Sequence, residues 1–436
     1  MSFRGRRVTI MGLGHFGGGV EAARWFACQG ARVTVTDLAD ERTLAESIEA
    51  LRDESIAQFH LGGHREEDFR DADLLVVNPA VRPDNPFLRI ARESATRLTS
   101  EIALFMSLCR APIIGVTGSN GKSTTAAMIA AILCEAGRRT WLGGNIGKSL
   151  LNRLDVILPE DWVVLELSSF QLWHLGPNAA MPQIAVVTGC SPNHLDWHAG
   201  YEDYVRAKQR ILLGQTRHDR AVLNTYDEEV ADWEPLVRGR LVPLPRLTEI
   251  PGLSVPGRHN RINAACAAAA AGVIGLAEKE IGQGLEKFVA LPQRLEPITA
   301  IDGRKFYNDS TATTPEAAIA ALQSLDEPIW LLAGGKDKGF DFGDLGAAVA
   351  EHAAGAAFFG SVREVLKGWV TARNPQFPCT TAETMAEALG WCWERSRPGD
   401  SIVLSPACAS TDQFCNFRDR GEQFVELVRT LRSARE

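Results

Sequence analysis

Residues 113–125 read IIGVTGSNGKSTT, a short apolar run that breaks into a glycine-rich turn and resumes with Lys122, Ser123, Thr124 and Thr125 at the head of a helical stretch. Strand, loop and helix in that order are half of an α/β unit, and they commit this part of the chain to a phosphate-binding loop. Closely spaced glycines let backbone N–H groups converge on phosphate oxygens. Lys122 adds a positive charge, a hydroxyl is available to magnesium, and the helix turns its positive end inward. ATP is the expected ligand, held by Gly118, Ser119, Asn120, Gly121, Lys122, Ser123 and Thr124. The spacing departs from the common pattern, since Val116 stands six residues before Lys122 and the glycines fall at Gly115, Gly118 and Gly121. That departure weighs against an ordinary GTPase or ATPase motor. The stripe Met128, Ile129, Ile132, Leu133 supplies the buried helix face that a chance Gly-Lys-Ser turn would lack.

The loop lies within 436 residues, enough for about three domains. A formal charge of −8 with no long Lys/Arg run argues against a nucleic-acid-binding face. No basic-then-apolar leader opens the sequence and no apolar run is long enough for a bilayer, so a cytosolic location without membrane insertion is expected. The nine cysteines include no C-x-x-C pair, which points to neither a zinc site nor a disulfide framework.

Three α/β series follow one another. The first has strands at 7–11, 32–36 and 74–77. After its first strand comes Gly12-Leu13-Gly14-His15-Phe16-Gly17, and Asp37 ends the second, twenty residues beyond Gly17. Taken alone, this meets the dinucleotide fingerprint, which leaves an NAD-dependent enzyme open beside a mere strand-to-helix turn. The second series runs from Pro112 through strands at 163–167, 184–188 and 221–224 to an alanine-rich helix at 260–276. The third carries strands near 305–307, 329–333, 356–360 and 402–404. Parallel sheets covered by helices are expected in each.

Glu166 closes the apolar run WVVLEL, which places a carboxylate at the carboxyl edge of the sheet that bears the phosphate loop. Such an acid suits magnesium, and the plain alternative is a surface glutamate. His194, in SPNHLDWH, follows the next strand and reaches the same edge, or serves as a structural loop histidine. Lys208, in YVRAKQRI, sits on a helical stretch where a solvated basic face is equally in keeping with the pattern.

The ordered set GVTGSNGKSTT, Gly143-Gly144-Asn145-Ile146-Gly147, ELSSFQL, NHLD, YVRAK, Gly257-Arg258-His259-Asn260, NDSTAT and LSPACASTDQF resembles the Mur ligases over essentially the whole chain, most closely the D-glutamate-adding branch. The resemblance implies an α/β protein of three domains. They are a Rossmann-like N-terminal domain for the UDP part of the substrate (residues 1–100), a central P-loop ATPase-type domain (101–290) and a Rossmann-like C-terminal domain for the amino acid (291–436). It implies an ATP-dependent ligase that joins D-glutamate to UDP-N-acetylmuramoyl-L-alanine through an acyl phosphate, in peptidoglycan precursor synthesis, and acts as a monomer. Under it Gly14, His15, Phe16, Asp37 and Leu38 become UDP contacts instead of NAD contacts, and Asn145 contacts the muramoyl group. Ser123 and Glu166 hold Mg2+ on the ATP phosphates. His194 belongs to a second Mg2+ site together with Lys208, which matches a lysine carbamylated in the family. Lys122, His194 and Lys208 are the implied catalytic residues. Asn260, Arg294 and Asp309 match further ATP-binding positions, and Thr313, Lys338, Ser410 and Phe417 match glutamate-binding ones. A lysine and two hydroxyls suit a dicarboxylate. One departure stands out, because the family commonly reads Asn-Asp-Ser-Lys-Ala-Thr where this chain has Thr311 in place of the lysine.

Overall fold

A computed structural model describes residues 2–14, 17–147, 149–176, 179–250 and 252–433. His15 and Phe16, both expected UDP contacts, lie outside the described residues. The strands form three sheets, of five, six and six strands. By internal contacts the chain divides into two compact units, 1–250 with 263–285, and 251–262 with 286–436.

The first unit carries two of the sheets. In one, the order is Ile56–Leu61, Arg32–Asp37, Arg7–Met11, Leu74–Val77, Arg97–Thr99, all parallel. In the other it is Arg240–Val242, Arg220–Leu223, Ile184–Val187, Ile113–Thr117, Trp162–Glu166, Thr140–Gly144, again all parallel. In each sheet the chain reverses direction of travel beside its first strand, Arg7–Met11 or Ile113–Thr117. A crevice opens there at the carboxyl ends, and both glycine turns follow these strands. One apolar core runs beneath both sheets, from Val8, Ile10 and Val33 to Val163, Leu165 and Ala185.

The second unit holds the sheet Glu296–Ile301, Arg304–Asn308, Ser401–Leu404, Ile329–Gly334, Ala353–Phe359, Cys379–Thr381. Side chains alternate across it. Ile329, Leu331 and Ala333 enter one core, whereas Trp330 and Leu332 enter the core on the opposite face with Phe306, Trp393 and Phe424. This sheet corrects the expectation of three parallel sheets, because its first two strands are antiparallel. Only Asp302 and Gly303 join them, both at positive φ (46° and 75°). A two-residue link of that kind makes a hairpin and cannot make a parallel crossover.

Two half-buried histidines, one in each unit, make the fold sensitive to acid. His174 Nε2 donates to the Val81 carbonyl at 3.0 Å, and His259 Nδ1 pairs with Ser324 Oγ at 3.1 Å. Burial drives both from 6.5 down to about 4. Between those values the unfolded chain binds protons that the folded rings refuse, so the rings' own contribution to stability is complete above pH 6.5 and is lost as the pH falls toward 4. Each full shift is worth about 3 kcal/mol. The carboxyls of Asp309 and Glu101, raised by burial to about 7, act in the opposite sense over this window, so the rings are tested by difference. The thermal midpoint of the wild type relative to that of His174→Gln, which keeps a donor for Val81, is expected to fall from pH 7 to pH 5, and a constant difference would contradict the account.

Candidate active site

The phosphate loop is shaped by contacts that exclude side chains larger than hydrogen. A Cβ on Gly118 (φ 154°) would meet Thr188 Oγ1 at 2.1 Å, and one on Gly121 (φ 81°) would meet Asn263 Oδ1 at 2.3 Å. Gly121 caps the helix Lys122–Glu135, whose first-turn N–H groups have no acceptor within the helix and face the loop. Thr188 Oγ donates to the Asn120 carbonyl at 2.5 Å. Ser119 is committed to the loop itself: its N–H donates to Gly189 O at 2.8 Å, and its hydroxyl bonds Ser191 and Tyr204. Lys122 folds back over the turn, with Nζ donating to Gly118 O at 2.9 Å and Ser119 O at 2.7 Å.

Glu166 ends the strand beside the loop strand, in register with Val116. It is buried, with Oε2 accepting from Ser123 Oγ at 2.5 Å and Oε1 accepting from Asn145 Nδ2 at 2.8 Å. The structure thus brings Ser123 and Glu166 together with Asn145, the expected contact to the muramoyl substrate. Among the described residues no three His, Cys, Asp or Glu side chains cluster as a protein cage for a metal. One carboxylate and one hydroxyl, both hard oxygen donors, fit a magnesium ion that takes its remaining ligands from water and phosphate. His194 stands on the loop after Ile184–Val187 at φ 55°, with its ring edge-on to Phe170 at 4.7 Å, near the corner that follows Glu166.

Lys208 is only 1% exposed, so the solvated-face alternative is excluded. Its Nζ donates to Gly118 O at 2.6 Å and lies 4.5 Å from the centre of the Tyr204 ring. Two lysine nitrogens, of Lys122 and Lys208, therefore meet at one carbonyl oxygen. Burial, and next the Lys122 charge, push Lys208 well below the usual lysine range. The helix that carries it, Tyr201–Leu213, is braced by His198, which bonds Asp203 Oδ2 at 3.1 Å and Ser169 Oγ at 3.0 Å.

On the N-terminal sheet a cavity of about 570 Å³ opens at the carboxyl ends of the strands. Gly14, Asp37 and Leu38, the expected UDP contacts among the described residues, line it together with His64, Asn78 and Arg82, which the motifs do not single out. Asn78 had a signal, as the first polar residue after the run LLVV. The Asp37 carboxylate accepts from Leu13 N–H at 2.8 Å and Ala39 N–H at 2.9 Å, which stiffens the two turns forming the wall. The facing wall, Ala80–Arg82, is held from the central sheet. Trp197 Nε1 donates to Ala80 O at 3.0 Å, His174 to Val81 O at 3.0 Å, and Arg82 Nη1 to Asp196 O at 2.6 Å.

The remaining candidates lie in the second unit. Asn260 Nδ2 donates to Pro256 O at 2.6 Å near the start of the helix Arg258–Val273. Asp309 is buried, accepting from Leu295 N–H at 3.0 Å and Ser405 Oγ at 2.8 Å, yet burial outweighs these bonds and raises it to about 7. Arg294 is near enough to act on its charge. Lys338 is exposed after Ile329–Gly334, Ser410 is buried, and Phe417 opens the helix Phe417–Ser433. Thr313 lies two residues beyond Thr311, whose carbonyl accepts its N–H at 2.9 Å. A residue that motif reading missed ties this region together. Fully buried Arg420 donates to Ser310 Oγ and O at 3.0 and 2.8 Å and to Cys408 O at 3.0 Å, joining the NDSTAT and SPACAS turns.

Comparison with known proteins matches three families in chain order: Mur ligase MurD-like, N-terminal domain at residues 6–100, Mur ligase middle domain at 116–242, and Mur ligase, glutamate ligase domain at 293–408. A UDP-N-acetylmuramoylalanine–D-glutamate ligase of Symbiobacterium thermophilum is 37% identical over 452 residues, covering 98% of both chains. One of Roseiflexus sp. (strain RS-1) is 36% identical, covering 99% of this chain and all of its own length (100%). Among solved structures, UDP-N-acetylmuramate-alanine ligase MurC from Thermotoga maritima shares the fold with a TM-score of 0.61 at 19% identity, over 98% of this chain and 99% of that one. A pseudomurein peptide ligase type C from Methanothermus fervidus gives 0.59 at 17% identity, over 98% and 100%.

Proposed function

The chain belongs to the Mur ligase family, and from that premise we propose that the residues gathered at the phosphate loop carry out the chemistry of its D-glutamate-adding members. It binds ATP and joins D-glutamate to UDP-N-acetylmuramoyl-L-alanine in peptidoglycan precursor synthesis. The terminal carboxylate of the acceptor takes the γ-phosphoryl group, ADP leaves, and the amine of D-glutamate then displaces phosphate to form the amide.

Two anions must approach each other in the first step, so the site has to cancel their repulsion. Lys122 and the helix N-terminus offset charge on the ATP phosphates. Ser123 and Glu166 would hold a magnesium ion there, which supplies further neutralisation when bound. Asn145 fixes the Glu166 carboxylate in place. The observation that carries this reading is the meeting of Lys122 and buried Lys208 at one carbonyl beside Glu166. A lysine in that position favours its neutral amine, which can take up carbon dioxide and become a carbamate anion. With His194 it would then suit a second magnesium. A carbamate keeps one N–H for Gly118 O.

Gly14, Asp37 and Leu38 are assigned to the UDP group by the cavity they line, and His15 and Phe16 by the family resemblance of the sequence that follows Gly14. Asn260, Arg294 and Asp309 are assigned to ATP, and Thr313, Lys338, Ser410 and Phe417 to D-glutamate. A dicarboxylate is preferred over lysine or diaminopimelate, whose extra amine would face Lys338. Among the described residues no helix is long and apolar enough to cross a membrane. The assignment places the protein in the cytoplasm as a monomer, with small-molecule substrates and no nucleic acid partner.

Phosphate release tests this reading. It is expected only when ATP, UDP-N-acetylmuramoyl-L-alanine and D-glutamate are all present, with L-glutamate at equal concentration left unincorporated. Release with D-glutamate omitted, or equal incorporation of the two enantiomers, would count against the assignment.

A further inference from the structure

Thr311 stands where the family commonly carries lysine, and the structure gives its hydroxyl a definite partner. Thr311 Oγ donates to the Gln293 carbonyl at 2.8 Å, and the Thr311 N–H donates to the same oxygen at 3.2 Å. Gln293 is 9% exposed, at φ 61°, and Leu295 two residues later is at φ 46°. Both are left-handed non-glycine conformations, which persist only where surrounding contacts over-determine them.

Several contacts hold the segment. Gln293 N–H donates to Glu296 Oε2 at 2.7 Å, its Nε2 donates to Arg418 O at 2.9 Å, and Leu295 N–H donates to Asp309 Oδ1 at 3.0 Å. The helix Phe417–Ser433 passes close overhead at Gly421, where a Cβ would meet Gln293 Cδ at 2.5 Å. Between the two strained residues stands Arg294, beside Asp309.

We propose that Thr311 is a positioning residue for ATP binding: its side chain clasps the Gln293 backbone, and so fixes the strained 293–295 segment that presents Arg294. The inference rests on the assignment of Arg294 to ATP. On this account the threonine hydroxyl belongs to the nucleotide side of the reaction, whereas a lysine at the same place would serve the amino acid.

Steady-state kinetics of the full chain separate the two roles. Thr311→Val keeps the shape and loses the hydroxyl, and is expected to raise KM for ATP about fivefold, the scale of one neutral hydrogen bond. KM for D-glutamate and for the UDP substrate should stay within about twofold on the same scale. Thr311→Ala should give the same split and Thr311→Ser should restore wild-type values, so a folding defect in one variant does not decide the matter. The Thr311→Val/Arg294→Ala double variant should be no worse for ATP than Arg294→Ala alone. A rise confined to KM for D-glutamate, or additive effects in the double variant, would overturn the proposal. If Arg294→Ala raises KM for ATP and Thr311→Val does not, only the clasp fails. If Arg294→Ala leaves it unchanged, the ATP assignment fails and takes the clasp with it.

Discussion

Lys122→Ala is expected to lower turnover by about a thousandfold, the upper range for removing one group aimed at developing charge. The ammonium spans the loop by its bonds to Gly118 O and Ser119 O, where the helix N-terminus also points. Lys208, the other lysine at this oxygen, is a poor replacement, because its burial disfavours the charged form. Binding of the UDP substrate should change less than about twofold, since its cavity is lined by the strand ends of the other sheet and effects at separate sites are independent. ADP release followed with a coupled assay, beside calorimetric titration of the UDP substrate, checks both halves. Near-normal turnover would remove Lys122 from the mechanism.

The second large effect is expected at Lys208. Lys208→Ala removes the amine that would become the carbamate and leaves a space in a buried site, so activity should fall about a hundredfold or more. Formate or acetate in the assay should restore part of it, because a small carboxylate returns the anionic charge to the vacated space. The same salts should not rescue Lys122→Ala, whose deficit is positive charge. Isotope-labelled carbon dioxide should give a carbamate carbon signal in the wild-type protein that is missing from the variant. An active enzyme showing a bare Lys208 amine in a high-resolution density map would end the carbamate assignment.

Buried central strands were legible as unbroken apolar runs. Leu74–Val77 was placed to the residue, and Ile184–Val187 and Ser401–Leu404 to within one residue at one end. Strands at sheet edges were not. Ile56–Leu61 is largely exposed, Arg240–Val242 has three residues, and Thr140–Gly144 ends in two glycines, so tertiary pairing and not local preference makes them strands. The Asp302-Gly303 hairpin was readable from its dipeptide and was passed over. In the site, the phosphate loop could be read because its chemistry lies in consecutive residues. The bond from Arg82 to Asp196 joins positions 114 apart, and no local pattern encodes it. Lys208 shows the same limit, since its preference for the neutral amine comes from burial under a loop ninety residues away.

The three bonds that hold the Ala80–Arg82 wall carry a consequence for which acceptors the enzyme accepts. The sheets that carry the N-terminal cavity and the phosphate loop share one apolar core, and two of those bonds fasten the cavity wall to the loop that bears His194. With the uridine in that cavity, the span from it to a carboxylate at the phosphate loop would be built into a single body. It works as a caliper. One extra residue on the acceptor lengthens it by roughly 3.5 Å, and a missing alanine shortens it by as much. Either error is several times larger than the misplacement that already costs about a hundredfold in rate. On that assignment the length of the acceptor's peptide would be gauged from the uridine end.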